Sequence, residues 1–147
     1  MPPILIDVNI PIYASGREHP LKLPCQRVLR LVGARIEEFI TDAEVLQELL
    51  HRYHALRIWD VGRQVYAEFS EAMRGRVLPI HHRHIEAAAQ MLTDHPRLQA
   101  RDAIHVAVMF DAGCERIVSA DRAFDAVPEV TRLDPMRYVE WADSVGD

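Results

Sequence analysis

Three apolar residues, Ile4, Leu5 and Ile6, stand in a row near the start of the chain and stop at Asp7. A strand with one wet face would alternate, so this largely β-branched run predicts a central parallel strand covered on both faces. From about Leu21 the period changes. Cys25, Val28, Leu29 and Val32 recur at three- and four-residue spacing, which predicts an amphipathic helix with Gly33 as its C-terminal cap. Phe39-Ile40 reads as a second short strand. Thr41-Asp42-Ala43-Glu44 has capping-box spacing, with Thr41 as the cap and Glu44 at the third helical position, and opens a helix whose stripe is Val45, Leu49 and Tyr53.

Ile58 to Met73 predicts another amphipathic helix, with Gly75 beyond its end, and Val77 to Ile80 is short enough only for an edge strand or connector. A further helix is expected from about Arg83 to Leu92, before the Asp94-His95-Pro96 break. Asp102 to Ala112 is apolar on nearly every face and stops at Gly113, the mark of a buried helix. Arg116 to Asp121 is a second apolar run ending in an acid, and Val130 to Leu133 is another strand candidate. Strands alternating with helices predict the α/β class, with a central, mainly parallel sheet flanked by helices. No repeat or long linker divides the chain, so one domain over residues 1–147 is expected.

Composition narrows the chemistry. With 49% hydrophobic and 27% charged residues, the chain has the makings of an ordinary packed core. A net charge of −5 weighs against a broad basic surface of the kind that tracks phosphates. Lys22 is the only lysine among 17 basic residues, and the G-x-x-x-x-G-K phosphate loop is absent. Cys25 and Cys114 have neither zinc-finger spacing nor a disulfide framework around them. No basic leader and no apolar run of about eighteen residues is found, so a cytoplasmic protein without a membrane span is expected.

The acids are placed more tellingly. Open α/β sheets bind ligands outside the carboxyl ends of their strands, and Asp7 and Asp121 each follow a predicted strand. If those strands are neighbours, their carboxylates converge, and convergent carboxylates repel unless a cation lies between them. Oxygen donors select hard ions, magnesium or manganese rather than zinc. Asp102 opens the buried helix, where the helix dipole favours an anion. Glu48 lies beside the Val45–Leu49 stripe, an unfavourable place for a carboxylate unless a polar cleft receives it. Each acid alone has a plainer account as a turn residue, a helix-start residue or a solvated flank. The four together point to a site.

Four segments carry a resemblance that spans nearly the whole chain: Ile4-Leu5-Ile6-Asp7-Val8-Asn9, Glu44-Val45-Leu46-Gln47-Glu48, Arg101-Asp102-Ala103-Ile104-His105-Val106-Ala107, and Val118-Ser119-Ala120-Asp121 with Arg122-Ala123-Phe124-Asp125. In this order they resemble the PIN domain, and within it the VapC-type toxins of bacterial toxin–antitoxin pairs. The resemblance implies a three-layer fold and a Mg2+- or Mn2+-dependent ribonuclease whose catalytic and metal-binding acids are Asp7, Glu48, Asp102 and Asp121. Asn9, Ser119 and Asp125 are expected in support. It further implies an RNA substrate, a cognate antitoxin and a homodimer. Glu48 is preferred to Glu44 as the helical acid because the cap already occupies Glu44. Arg17, Arg52 and Arg101 are candidates for flanking phosphates, and the helix from Val45 to Tyr53 with the aromatic face around Trp59 for the antitoxin.

Rival readings are a PIN-like domain that binds RNA or protein without cutting, and a housekeeping RNA-processing nuclease. A haloacid-dehalogenase phosphatase would need a second Asp where Asn9 stands and a lysine after Lys22. The His81-His82-Arg83-His84 run reads as the start of an exposed helix rather than a metal cluster, having no Cys or acid at ligand spacing. His51 and His54 are expected at the surface. Trp59, Tyr66 and Phe69 have the helical spacing of packing residues. His105 shares a helix face with Asp102, one turn away, and is expected either to bond that acid or to fill a polar gap.

Overall fold

The computed structural model describes residues 2–146. Among them are five strands, β1 (Ile4–Ile6), β2 (Phe39–Asp42), β3 (Val77–Leu78), β4 (Arg116–Val118) and β5 (Thr131–Leu133), all parallel and ordered β3-β2-β1-β4-β5. The helices are α1 (Asn9–Ser15), α2 (Lys22–Ala34), α3 (Ala43–Ala55), α4 (Trp59–Ala72), α5 (His82–Asp94), α6 (Ala100–Asp111) and the short α7 (Tyr138–Trp141). The predicted α/β class and three-layer arrangement are what the chain adopts. Val77-Leu78 is the edge strand the pattern allowed.

Strand β1 is buried throughout because its residues feed two cores. Ile4 and Ile6 pack with Val28, Val32, Val45, Leu49 and Phe69 from α2, α3 and α4. Leu5, on the opposite face, joins Ile117 with Ala103, Val106 and Met109 of α6. This period of two within one apolar run is the reason a central parallel strand carries no polar position. The α3–α4 hairpin closes over a single glycine. A Cβ on Gly62 would fall 2.2 Å from the Tyr53 Cβ, so only hydrogen fits there.

Several local expectations are corrected. Helix α1 follows β1 almost at once and holds Pro11, which the first turn tolerates because its N–H groups lack intrahelical partners. Helix α2 runs on to Ala34, so Gly33 lies inside its last turn and Arg35 takes the cap. Thr41 does not cap α3. It belongs to β2, where its hydroxyl donates to the Ile6 carbonyl at 3.0 Å. Asp42 is the cap, its carboxylate accepting from the Val45 N–H at 2.9 Å, and Glu44 therefore has no capping-box role. His84 is buried against the Asp111 carboxylate at 2.8 Å, tying α5 to α6, while the rest of its histidine run is exposed.

Candidate active site

The chain runs outward from β1 through β2 to β3, then returns to place β4 on the other side of β1. Strand order thus reverses between β1 and β4, where a crevice opens at the carboxyl ends. Asp7 stands at that point, buried. One of its oxygens accepts from the Val8 N–H at 2.8 Å; the other accepts from the Ser119 hydroxyl at 2.6 Å and the Asn9 amide at 3.1 Å. Asn9 Oδ1 accepts from the Ala120 N–H, and Ser119 Oγ from the Asp121 N–H. Asn9 and Ser119 therefore fasten the two strand ends together and aim Asp7. Burial raises the Asp7 pKa, opposed by the charge of His105 and the Ser119 hydrogen bond.

Asp121 is exposed and caps the 3₁₀ turn Arg122–Ala126, accepting from the Ala123 N–H at 2.9 Å. Asp102 lies in the first turn of α6, buried. Its carboxyl is pushed up to about 6, chiefly by burial and in addition by the charges of Asp121 and Asp7. Glu48 points in from α3 and is 8% exposed. Together Asp7, Glu48, Asp102 and Asp121 line one cleft of about 170 Å³, which Arg52 and Arg101 also line. Glu44 is half-buried at an adjoining mouth, where burial and the charge of Glu48 raise its pKa. Asp125 lies elsewhere. Arg132 holds both of its oxygens, at 3.0 and 3.2 Å, and also donates to the Ser119 carbonyl at 3.1 Å. Its link to the site is through that arginine, not as a further acid of the cleft.

Sequence reasoning overlooked Asp42 and misplaced the partner of His105. The imidazole is fully buried with Nδ1 2.7 Å from Asp42 Oδ2 and Nε2 3.1 Å from Glu48 Oε1. Asp7 Oδ1 lies 3.9 Å from Nε2, and no hydrogen bond joins His105 to Asp102. Burial works against a charged imidazole here, but Asp42, Glu48 and Asp7 outweigh it and hold its pKa well above the ordinary value. A protonated ring donates from both nitrogens, which satisfies both carboxylates at once. A clue was present in the Asp42 position ahead of a helix, but its contact with His105 spans 63 residues.

The donor set suits a cation. Asp7 and Glu48 each present a carboxylate oxygen within 4.8 Å of the other, and the charges of Asp121 and Asp7, which add to burial in raising Asp102, are a repulsion that a positive ion would relieve. The apolar stripe Val45, Leu49 and Tyr53 is buried in the core, so it is not open to a partner. Trp59 is half-buried against the same core. His51 and His54 are exposed, as expected. Among the described residues, no helix is long and apolar enough to cross a membrane.

An α/β sheet with acids gathered at its switch point defines a class of site, and comparison with known proteins gives the family. The PIN domain model matches residues 4–130, and the chain belongs to the PIN domain family. It is 42% identical over 133 residues to ribonuclease VapC13 of Mycobacterium tuberculosis, covering 88% of this chain and 98% of that one. Ribonuclease VapC7 of the same organism is 30% identical over 136 residues, covering 90% and 91%. Among solved structures, FitAB bound to a DNA fragment aligns with a TM-score of 0.70 at 18% identity, covering 91% of this chain and 96% of that one. The sarcin-ricin-loop-cleaving toxin VapC20 of M. tuberculosis aligns at 0.67 and 19%, covering 84% and 93%.

Proposed function

We propose that this protein is a metal-dependent endoribonuclease, the toxin of a toxin–antitoxin pair, working as a single PIN domain on cytoplasmic RNA. The observation that carries the reading is the convergence of Asp7, Glu48, Asp102 and Asp121 on one cleft, in a chain 42% identical to proteins named as VapC ribonucleases. Those four acids would hold magnesium or manganese. The nearby nitrogen donor, His105 Nε2, is engaged by Glu48, so the free donors are hard oxygens. When bound, the ion supplies an activated water and offsets charge on the phosphoryl oxygens.

The protein's own groups do the positioning. Ser119, Asn9 and the Val8 N–H fix Asp7. His105 holds Glu48, and Arg52 and Arg101 stand where phosphates beside the scissile one would pass. The named complexes of structural relatives, VapBC and FitAB with DNA fragments, support an antitoxin partner. A homodimer is part of the same proposal.

The test is cleavage of total RNA by the purified chain with magnesium, with manganese and with excess chelator, beside Asp7→Asn. Cutting that needs metal and Asp7 is expected. Undiminished cutting in chelator would defeat the reading, and binding of RNA with no cutting under any metal would favour a non-catalytic domain.

A further inference from the structure

The acid cleft opens into two wider concavities, and Arg52 and Ile12 line all three. One follows α3 past His51 and carries Glu44. The other, of about 550 Å³, lies between α1, the turn after it and the start of α4. Among the described residues no carboxylate lines this second groove, whereas Arg17 and Arg52 both do. In a chain of net charge −5, it is the exit from the acid centre that a polyanion would meet with least repulsion.

Its walls suit an unpaired base. Tyr13 lines both the cleft and the groove, and its ring lies 4.6 Å from that of His19, tilted by 34°. The His19 ring is oriented by the Leu21 N–H, which donates to Nδ1 at 3.1 Å. Leu56, Ile58 and Val61 are large, apolar and exposed along the groove. Aromatic faces stack on any base, and a neighbouring guanidinium holds the phosphate.

We propose that this groove is a nucleobase subsite: it receives the base next to the scissile phosphate of a single-stranded RNA, stacked against the Tyr13–His19 pair, with Arg52 on the phosphate between base and cleft. The inference rests on the ribonuclease reading above. It adds a requirement, that the substrate be unpaired at that nucleotide, because a base inside a duplex presents no free face to the pair.

Binding and cutting are measured separately. Full-length Asp7→Asn protein is titrated with a labelled single-stranded oligoribonucleotide, with the same oligonucleotide made abasic at the nucleotide beside its mapped cleavage position, and with its duplex. His19→Ala and Tyr13→Ala are added singly. The intact single strand is expected to bind about tenfold more tightly than the abasic strand or the duplex, and both variants to lose about that factor on the intact strand only. Arg52→Gln should weaken intact and abasic strands alike and shallow the salt dependence by about one phosphate contact. His19 is exposed, so its variant remains informative if Tyr13→Ala misfolds. Equal affinity for intact and abasic strands overturns the subsite. So does a His19→Ala protein that binds RNA normally but no longer binds the purified product of the adjacent reading frame, which would make the groove a protein dock. If the unmutated chain cuts no RNA, the ribonuclease reading fails; the subsite fails separately when cutting is robust and indifferent to His19, Tyr13 and the base.

Discussion

His105 and Asp42 meet at 2.7 Å with both side chains removed from solvent, and through this contact the cap of α3 is joined to the middle of α6. The same imidazole reaches Glu48, nearly two helical turns beyond the cap. Two helices that each carry a site acid are thereby locked at one spacing by a buried acid–base–acid chain.

Breaking that chain should be costly. His105→Ala leaves Asp42 and Glu48 buried without their shared donor, and removing one partner of such a buried cluster destabilises by about 3–5 kcal/mol. Denaturant unfolding checks this, and a loss under about 1 kcal/mol would contradict the pairing. Because the folded-state pKa of His105 is raised, its stabilisation is complete below the ordinary histidine value and fades as pH rises through the folded one. The gap between wild type and variant should therefore narrow on the alkaline side.

Asp102 has a different window. Its folded pKa of about 6 lies above the ordinary aspartate value, so the metal-free fold is favoured while the group stays protonated and loses that advantage as pH climbs from about 4 to about 6. Asp102→Asn lacks this loss. In chelator, the melting temperature of the variant should gain on wild type across that interval and hold its gain at neutral pH. Magnesium should restore wild type, since it binds the folded acids and not the dispersed unfolded ones. A constant difference from pH 4 to pH 7 would count against the clustering of acids.

The two glutamates of α3 separate by function. Glu48→Gln keeps an oxygen for His105 and should fold normally, yet cut RNA at least about a hundredfold more slowly. Glu44→Ala, with no capping bond to lose, should change stability by no more than about 0.5 kcal/mol and leave most of the cleavage. Loss of activity confined to Glu44→Ala would move the helical acid by one turn.

Gly62→Ala tests the α3–α4 closure. Its methyl would overlap Tyr53, and overpacking of this kind costs about 1–3 kcal/mol. A variant of unchanged melting temperature would show that the hairpin relaxes freely.

How far the sequence reveals all this depends on whether a signal is local. The strand-end position of Asp7, the helix-start position of Asp102 and the apolar stripe beside Glu48 are written in neighbouring residues, and they lead to the four acids that share the cleft. Thr41 and Asp42 show the limit. Both are good caps in isolation, and Thr41 is drawn into the sheet by a carbonyl 35 residues away. Helical spacing pairs His105 with the acid on its own helix, whereas its partners arrive from within α3 and from the residue that caps it, across 57 and 63 residues. Asp125 reads as one more site acid until Arg132, on the neighbouring strand, claims it. Pro11 concealed α1 because a proline marks a helix start as readily as a break.

The reversal of strand order beside β1 also has a meaning in time. Asp7 is made well before the groups that aim it, for Ser119 by its hydroxyl and Val118 by its carbonyl bonded to the Asp7 N–H come more than a hundred residues later. During synthesis the N-terminal half can carry Asp7 and Glu48 yet has nothing to gather them with Asp102 and Asp121. A chain that has not yet reached β4 therefore lacks the proposed site, and the four acids share one cleft only when β4 slots in beside β1.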